Sequence, residues 1–246
     1  LQNGFPLQKA EQGGASGHNC TGTSKTLESN TKMRQALIVW GGWEGHEPDK
    51  CAAIYERWLT EDGFAVTVSD TTATFADPSL KRFDLIVPIY TMSRISKEEA
   101  ANLCKTVEEG TGLGGHHGGM GDAFRECVEY QFMVGGQWVA HPGNIIDYHV
   151  DISRTRDPVT KGIKRFAYRS EQYYMHVDPS NKVLATTTFS GKHAPWIKGV
   201  KMPVVWKRQH GKGRVFYSSL GHVASEFEVP EMAILLRRGI NWAARG

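Results

Sequence analysis

Residues 113–122 read LGGHHGGMGD, two adjacent histidines, His116 and His117, bracketed by paired glycines. The stretch sits just after a predicted strand and just before a predicted helix, so it reads as a tight strand-to-helix turn. Glycine accepts left-handed backbone and lets a ligand come close, and a helix start offers unpaired N–H groups to an anion or a carbonyl. This is the geometry of a nucleophile elbow. The elbow of a hydrolase or amidotransferase carries Ser or Cys at its centre, however, and here histidine stands in that place. Acyl-enzyme chemistry is thereby disfavoured, and the histidines are left as proton carriers or metal ligands. The competing reading packs one histidine under the helix and leaves the other in solvent.

Working outward from the turn, RQALIVW (34–40) is an apolar run ending in Gly41-Gly42, as expected of a buried parallel strand. Pro48 suits the first turn of a helix running to Asp62, whose buried face carries Cys51, Ile54, Tyr55, Trp58 and Leu59. FAVTVSD (64–70) and DLIVPIY (84–90) are further strands, and Ser96 caps a helix that continues to about Glu109 before Gly110. Strand and helix alternate, which predicts an α/β fold with a doubly wound, mostly parallel sheet. Ligands of such sheets gather at the strands' carboxyl ends, so Gly41–Glu47, Tyr90–Arg94 and Gly114–Gly119 are expected to share one crevice. Beyond residue 140 the pattern turns to strands, NIIDYHVDI, KVLATTTF, MPVVWKRQ and GRVFYSS, with QHGKG (209–213) as a hairpin connection. A closing helix is predicted from about Val229 to Ala244.

At 246 residues the chain is read as one domain over 33–246, preceded by a polar Gly/Ser/Thr-rich leader over 1–32 with no pattern of its own. Met33 fits a native start, and the Asn19-Cys20-Thr21 sequon is attributed to chance. A net charge of +3 without a basic stripe gives no case for nucleic acid. No run reaches the roughly 20 apolar residues of a membrane span. Cys20, Cys51, Cys104 and Cys127 lack any CxxC spacing, which suits reduced thiols in a cytoplasmic protein; Cys104 and Cys127 fall within predicted helices. A small-molecule partner is expected, and exposed aromatic residues leave a homo-oligomer open.

Candidate chemistry collects at the strand ends. WGGWEGHEPD contributes Trp43, Glu44, His46 and Glu47; Glu47 reads as a helix cap, whereas His46 sits at the crevice lip opposite the histidine turn. SEQYYMHVDP contributes Glu171, Tyr173 and His176, and SSLGHV contributes His222 past another strand. Glu171 with His46, His117 and His222 would form a three-histidine, one-carboxylate site for a divalent metal, zinc or manganese. The same four are the catalytic candidates, with Trp43, Glu44, His116, Asp122, Tyr173 and His176 as substrate contacts. His141 and His149 read as structural surface residues. Of Trp40, Trp43, Trp138, Trp196 and Trp206, two or three are expected to line a pocket for sugar rings.

Taken together, WGGWEGHEP (40–48), GLGGHHGG (112–119), DPVTKGIKRFAYRSEQYY (157–174), GKGRVFYSSLGH (211–222) and RGINWAAR (238–245) resemble the ThuA-like trehalose-utilisation family. The resemblance implies a class I glutamine amidotransferase-like fold with a flavodoxin-like sheet and an added β-hairpin, from which the nucleophilic cysteine has been lost. The family's polar positions fall on His46, His117, Glu171 and His222. His116 stands where an apolar residue is common, and Asp157 where histidine is common. The implied activity is on trehalose-like disaccharides or their 3-keto derivatives, by acid–base chemistry of histidine and glutamate. The alternatives are a non-catalytic sugar-binding or regulatory protein and, less well supported, a glutamine amidotransferase.

Overall fold

Strand β1 (Arg34–Gly42) buries Ala36, Leu37, Ile38 and Val39 completely because both of its faces are covered. Ala36 and Ile38 join the core under α1 (Pro48–Glu61) and α5 (Pro230–Ala243). Leu37 and Val39 point the other way, into the core under α2 (Lys97–Glu108) and α4 (Val128–Val134). This alternation is what a doubly wound sheet demands of a central strand. The computed structural model describes residues 33–246. The expected leader, its sequon and Cys20 lie outside the described residues.

The main sheet has nine strands in the order β2 (Phe64–Ser69), β1, β3 (Leu85–Thr91), β4 (Gly112–His116), β11 (Gly213–Ser218), β10 (Lys201–His210), β9 (Lys182–Thr188), β6 (Ile145–Ile152), β7 (Phe166–Glu171). The strands from β2 to β11 run parallel, and each further strand pairs antiparallel with its neighbour. The α/β, flavodoxin-like expectation therefore holds. The antiparallel part extends well past the β10–β11 hairpin, and β5 (Gly136–Ala140) and β8 (Tyr174–Val177) form a separate two-stranded sheet.

Local sequence accounts for the helix starts. Ser96 and Glu99 form a reciprocal capping box on α2, and Pro48 and Pro230 occupy first turns where no amide hydrogen bond is forfeited. Gly239 on α5 is required because a side chain there would enter the Phe216 ring. The quoted turn differs from its predicted setting: LGGH is itself the end of strand β4, and the helix after it, α3 (His117–Gly121), is a single turn. Cys127 lies outside any helix, at the N-cap of α4. Cys51, Cys104 and Cys127 are free thiols, and burial pushes those of Cys51 and Cys104 up to about 12, which leaves them protonated and inert. No helix among the described residues is long and apolar enough to cross a membrane.

Candidate functional site

Pairing between β3 and β4 stops after Ile86 and Leu113, so the strands part at their carboxyl ends and α3 packs against β3 in the gap. Close packing there requires the glycines. A Cβ on Gly118 would lie 2.6 Å from His46 Cε1, one on Gly119 2.9 Å from Ile89 Cα, and one on Gly121 would strike the Tyr217 hydroxyl. The two histidines part company at this point, where the strand ends at His116 and the backbone turns at His117. His116 turns beneath α1, where its Nδ1 lies 2.9 Å from the Tyr55 hydroxyl and its ring packs on Phe227. His117 takes a left-handed backbone, φ 45°, and enters the crevice. A left-handed non-glycine residue at a strand-to-helix turn is the strained elbow position itself, now held by an imidazole.

Three other strand ends complete the cluster. His46 is lowered into the crevice by the turn Glu44–His46 and by Glu47, also left-handed at φ 48°. Glu171 is the last residue of β7, and His222 follows β11 through Ser219 and the left-handed Gly221. His117 Nδ1 is 2.8 Å from the Ser219 carbonyl oxygen, which can only accept, so that nitrogen carries a hydrogen and donates it. Its Nε2 then faces Glu171 Oε2 at 3.1 Å. His46 repeats the arrangement, with Nδ1 2.9 Å from Thr91 Oγ1 and Nε2 4.0 Å from the same carboxylate oxygen. His222 Nε2 lies 3.8 Å from Oε1.

A neutral His117 in this tautomer would aim a lone pair at a carboxylate oxygen. A shared proton or a bound cation relieves that repulsion. One donor atom from each of His46, His117, Glu171 and His222 lies within 4.8 Å of the others, close enough together to hold a divalent metal ion. Tying the second imidazole nitrogen to a carbonyl or hydroxyl is how ligating histidines are oriented. The charge states agree. Burial, then the neighbouring His117 and His222, lower His46 to about 2, and burial with His117 lowers His222. Burial pushes the Glu171 carboxyl up, but the His117 hydrogen bond and the charges of His117, His141 and His222 outweigh it and hold it below the ordinary range. An imidazole that resists protonation, as at His46, and a carboxylate that stays ionised are the forms that bind a metal.

Of the other predicted contacts, Tyr173 stacks on His117 with ring centroids 4.1 Å apart. Trp43, 46% exposed, stands edge-on to His46 as an open apolar surface at the lip. Asp122 is buried at the end of α3 and takes a two-pronged hydrogen bond from Arg125, at 2.5 and 2.8 Å. Three assignments need correction. His116 is a packing residue on the far side of the sheet, and burial followed by His117 lowers it to about 3. Glu44 is exposed, turned outward by the short turn that buries His46. His176 is exposed on β8 opposite Gln137, because strand alternation sends Met175 inward in its place.

Sequence reasoning also set aside a residue that belongs here. His141 follows β5 directly and brings Nε2 to 3.6 Å from Glu171 Oε1. Its position just past a strand is the signal that marked His46 and His222. His149 is exposed, as expected. Among the tryptophans, Trp206 is fully buried and donates to the Val134 carbonyl, whereas Trp43 and Trp138 flank the cluster.

Comparison with known proteins agrees with this arrangement at the level of family and fold. A family model described as ThuA, trehalose utilisation, matches residues 35–243. No curated protein matches the sequence significantly. Among solved structures, the chain is similar to a ThuA-like protein from Bacteroides uniformis, with 20% identity, a TM-score of 0.71, and 85% of this chain and 91% of that chain covered. A ThuA-like protein from Parabacteroides merdae gives 18% identity and a TM-score of 0.69, covering 86% and 89%. A cytoplasmic protein from Salmonella typhimurium gives 12% and 0.62, covering 86% and 100%. At these identities the structures establish a shared fold.

Proposed function

The chain belongs to the ThuA, trehalose-utilisation family, which points to a carbohydrate-related role, and on that premise we propose that its crevice transforms a trehalose-like disaccharide or its 3-keto derivative. The observation that carries the reading is the aim of the His46, His117 and His222 Nε2 atoms at one buried carboxylate. A keto group acidifies the adjoining C–H bond, so elimination or isomerisation needs a base and a partner for the developing oxyanion. Without an ion, Glu171 and His117 would hold and pass that proton between Oε2 and Nε2, while the Ser219 carbonyl keeps the His117 tautomer fixed. His46, His117, His222 and Glu171 would hold a zinc or manganese ion, which when bound supplies Lewis-acid polarisation of a substrate oxygen. Tyr173 fixes the plane of the His117 ring, and Trp43 offers a face on which a sugar ring can stack. Cytoplasmic action on a small sugar fits the free thiols.

The test is turnover of trehalose and 3-keto-trehalose by the wild type, His117→Ala and Glu171→Ala. The expected loss in each variant is about 10²- to 10⁴-fold, the usual worth of a positioned acid or base. Undiminished turnover in both variants contradicts the proposal.

A further inference from the structure

Four buried side-chain polar atoms among the described residues lack a hydrogen-bond partner, and two of them, Trp138 Nε1 and His141 Nδ1, belong to neighbouring rings 5.5 Å apart beside Glu171. Native proteins leave few such atoms unpaired, and a pair at a reactive cluster calls for a cause. The contrast with the other histidines is informative. His46 and His117 have their Nδ1 atoms tied to Thr91 and Ser219, as ligating or proton-carrying rings require, whereas His141 presents Nε2 to Glu171 and leaves Nδ1 free. His141 is also the most open of the group, its side chain 29% exposed against 8% for His46, 1% for His117 and 15% for His222.

We infer that Trp138 Nε1 and His141 Nδ1 form a hydroxyl-binding subsite that holds the oxygens of two adjacent ring hydroxyls of the sugar beside Glu171. An indole N–H only donates, while a neutral imidazole nitrogen donates or accepts, so the pair matches an acceptor next to a group able to do both. Adjacent hydroxyls on a sugar ring have that character. The indole plane is fixed from its other side by the Arg125 guanidinium, 4.5 Å away and anchored on Asp122. Tyr173 stacks on both His141 and His117, which ties the subsite to the reacting cluster. The inference rests on the sugar reading of the cluster and specifies where the ring is gripped.

The test is titration of trehalose and 3-keto-trehalose into the wild type and the variants Trp138→Phe, His141→Gln and His141→Asn. Thermal unfolding and metal content are measured on each. Trp138→Phe keeps the ring and removes the N–H; Gln carries an amide near the Nε2 position and Asn near Nδ1. Leaving a buried polar partner unpaired is worth about tenfold to a hundredfold in affinity. Trp138→Phe and His141→Gln are expected to weaken binding by that factor, with His141→Asn within about threefold of wild type. Metal content is unchanged in all three. In the wild type, the indole N–H resonance that Trp138→Phe removes shifts when sugar is added. Wild-type affinity in both Trp138→Phe and His141→Gln, with no shift, overturns the subsite. A wild type that binds neither sugar overturns the sugar reading beneath it as well.

Discussion

Asp157 and Glu171 are both buried, 5% and 8% exposed, but their surroundings differ in kind. Asp157 is held by Lys182 Nζ at 2.8 Å, by Lys207 Nζ at 2.9 Å from Oδ1 and 2.7 Å from Oδ2, and by the Val159 amide at 3.0 Å. The Lys207 ammonium also lies 4.2 Å from the Trp242 ring centroid. Burial pushes the Asp157 carboxyl up, and the hydrogen bonds from Lys182 and Lys207 more than reverse it. Every partner there is a permanent cation or a fixed donor, so nothing remains to be exchanged. Glu171 is surrounded by imidazoles, which carry charge only when protonated and otherwise present lone pairs. A buried carboxylate with fixed counter-charges fastens the fold; one among switchable nitrogens is equipped to take up a proton or a cation.

That contrast can be broken most sharply at Asp157. Asp157→Asn leaves the Lys207 ammonium buried without its anion and is expected to cost about 3–5 kcal/mol in chemical denaturation. Metal content and sugar binding should persist in the folded fraction. Gly118→Ala acts on the other cluster. Its new methyl group meets the His46 ring, so metal affinity is expected to fall about 10- to 100-fold, with a loss of about 1–3 kcal/mol in stability.

Acid titration separates the regions by pH. His116 is lowered to about 3 when folded, so below its ordinary value of 6.5 the unfolded chain takes up a proton that the folded chain refuses. Its contribution is complete above pH 6.5 and declines as pH falls toward 3, by about 1.4 kcal/mol per pH unit. Asp157, lowered from 3.8, keeps its full contribution above that value and loses it as pH falls further, through its own folded value. The slope of unfolding free energy between pH 6 and about 4.5 should therefore flatten by roughly that amount in His116→Gln and stay unchanged in Asp157→Asn. The smallest effects are expected at Glu44→Gln and His176→Gln. Both side chains are exposed, so stability should move by less than about 0.5 kcal/mol and turnover should be unaffected.

The parallel half of the fold was legible because its signals are local: the apolar run of β1, Pro48 and Pro230 at helix starts, and Ser96 with Glu99 on α2. Strand β4 was not, because Gly112, Gly114 and Gly115 have no side chains with which to show a period. β4 is made a strand by β3 and β11 on either side. Without knowing that the strand includes His116, the sequence cannot say which histidine faces the crevice. His46 and His222 were readable from their places just past strand ends, and the family resemblance singled out His117 and Glu171 beside them. His141 reads as a structural surface residue from sequence because β5 pairs only with β8, outside the main sheet, and its approach to Glu171 is set by tertiary packing.

The most direct test of the account is elemental analysis after equilibration with zinc or manganese, on the wild type, Glu171→Gln, His117→Ala and Asp157→Asn. The account predicts about one ion per chain in the wild type and in Asp157→Asn, and none in Glu171→Gln or His117→Ala. Equal metal in the wild type and Glu171→Gln, or none in any of the four, would contradict it.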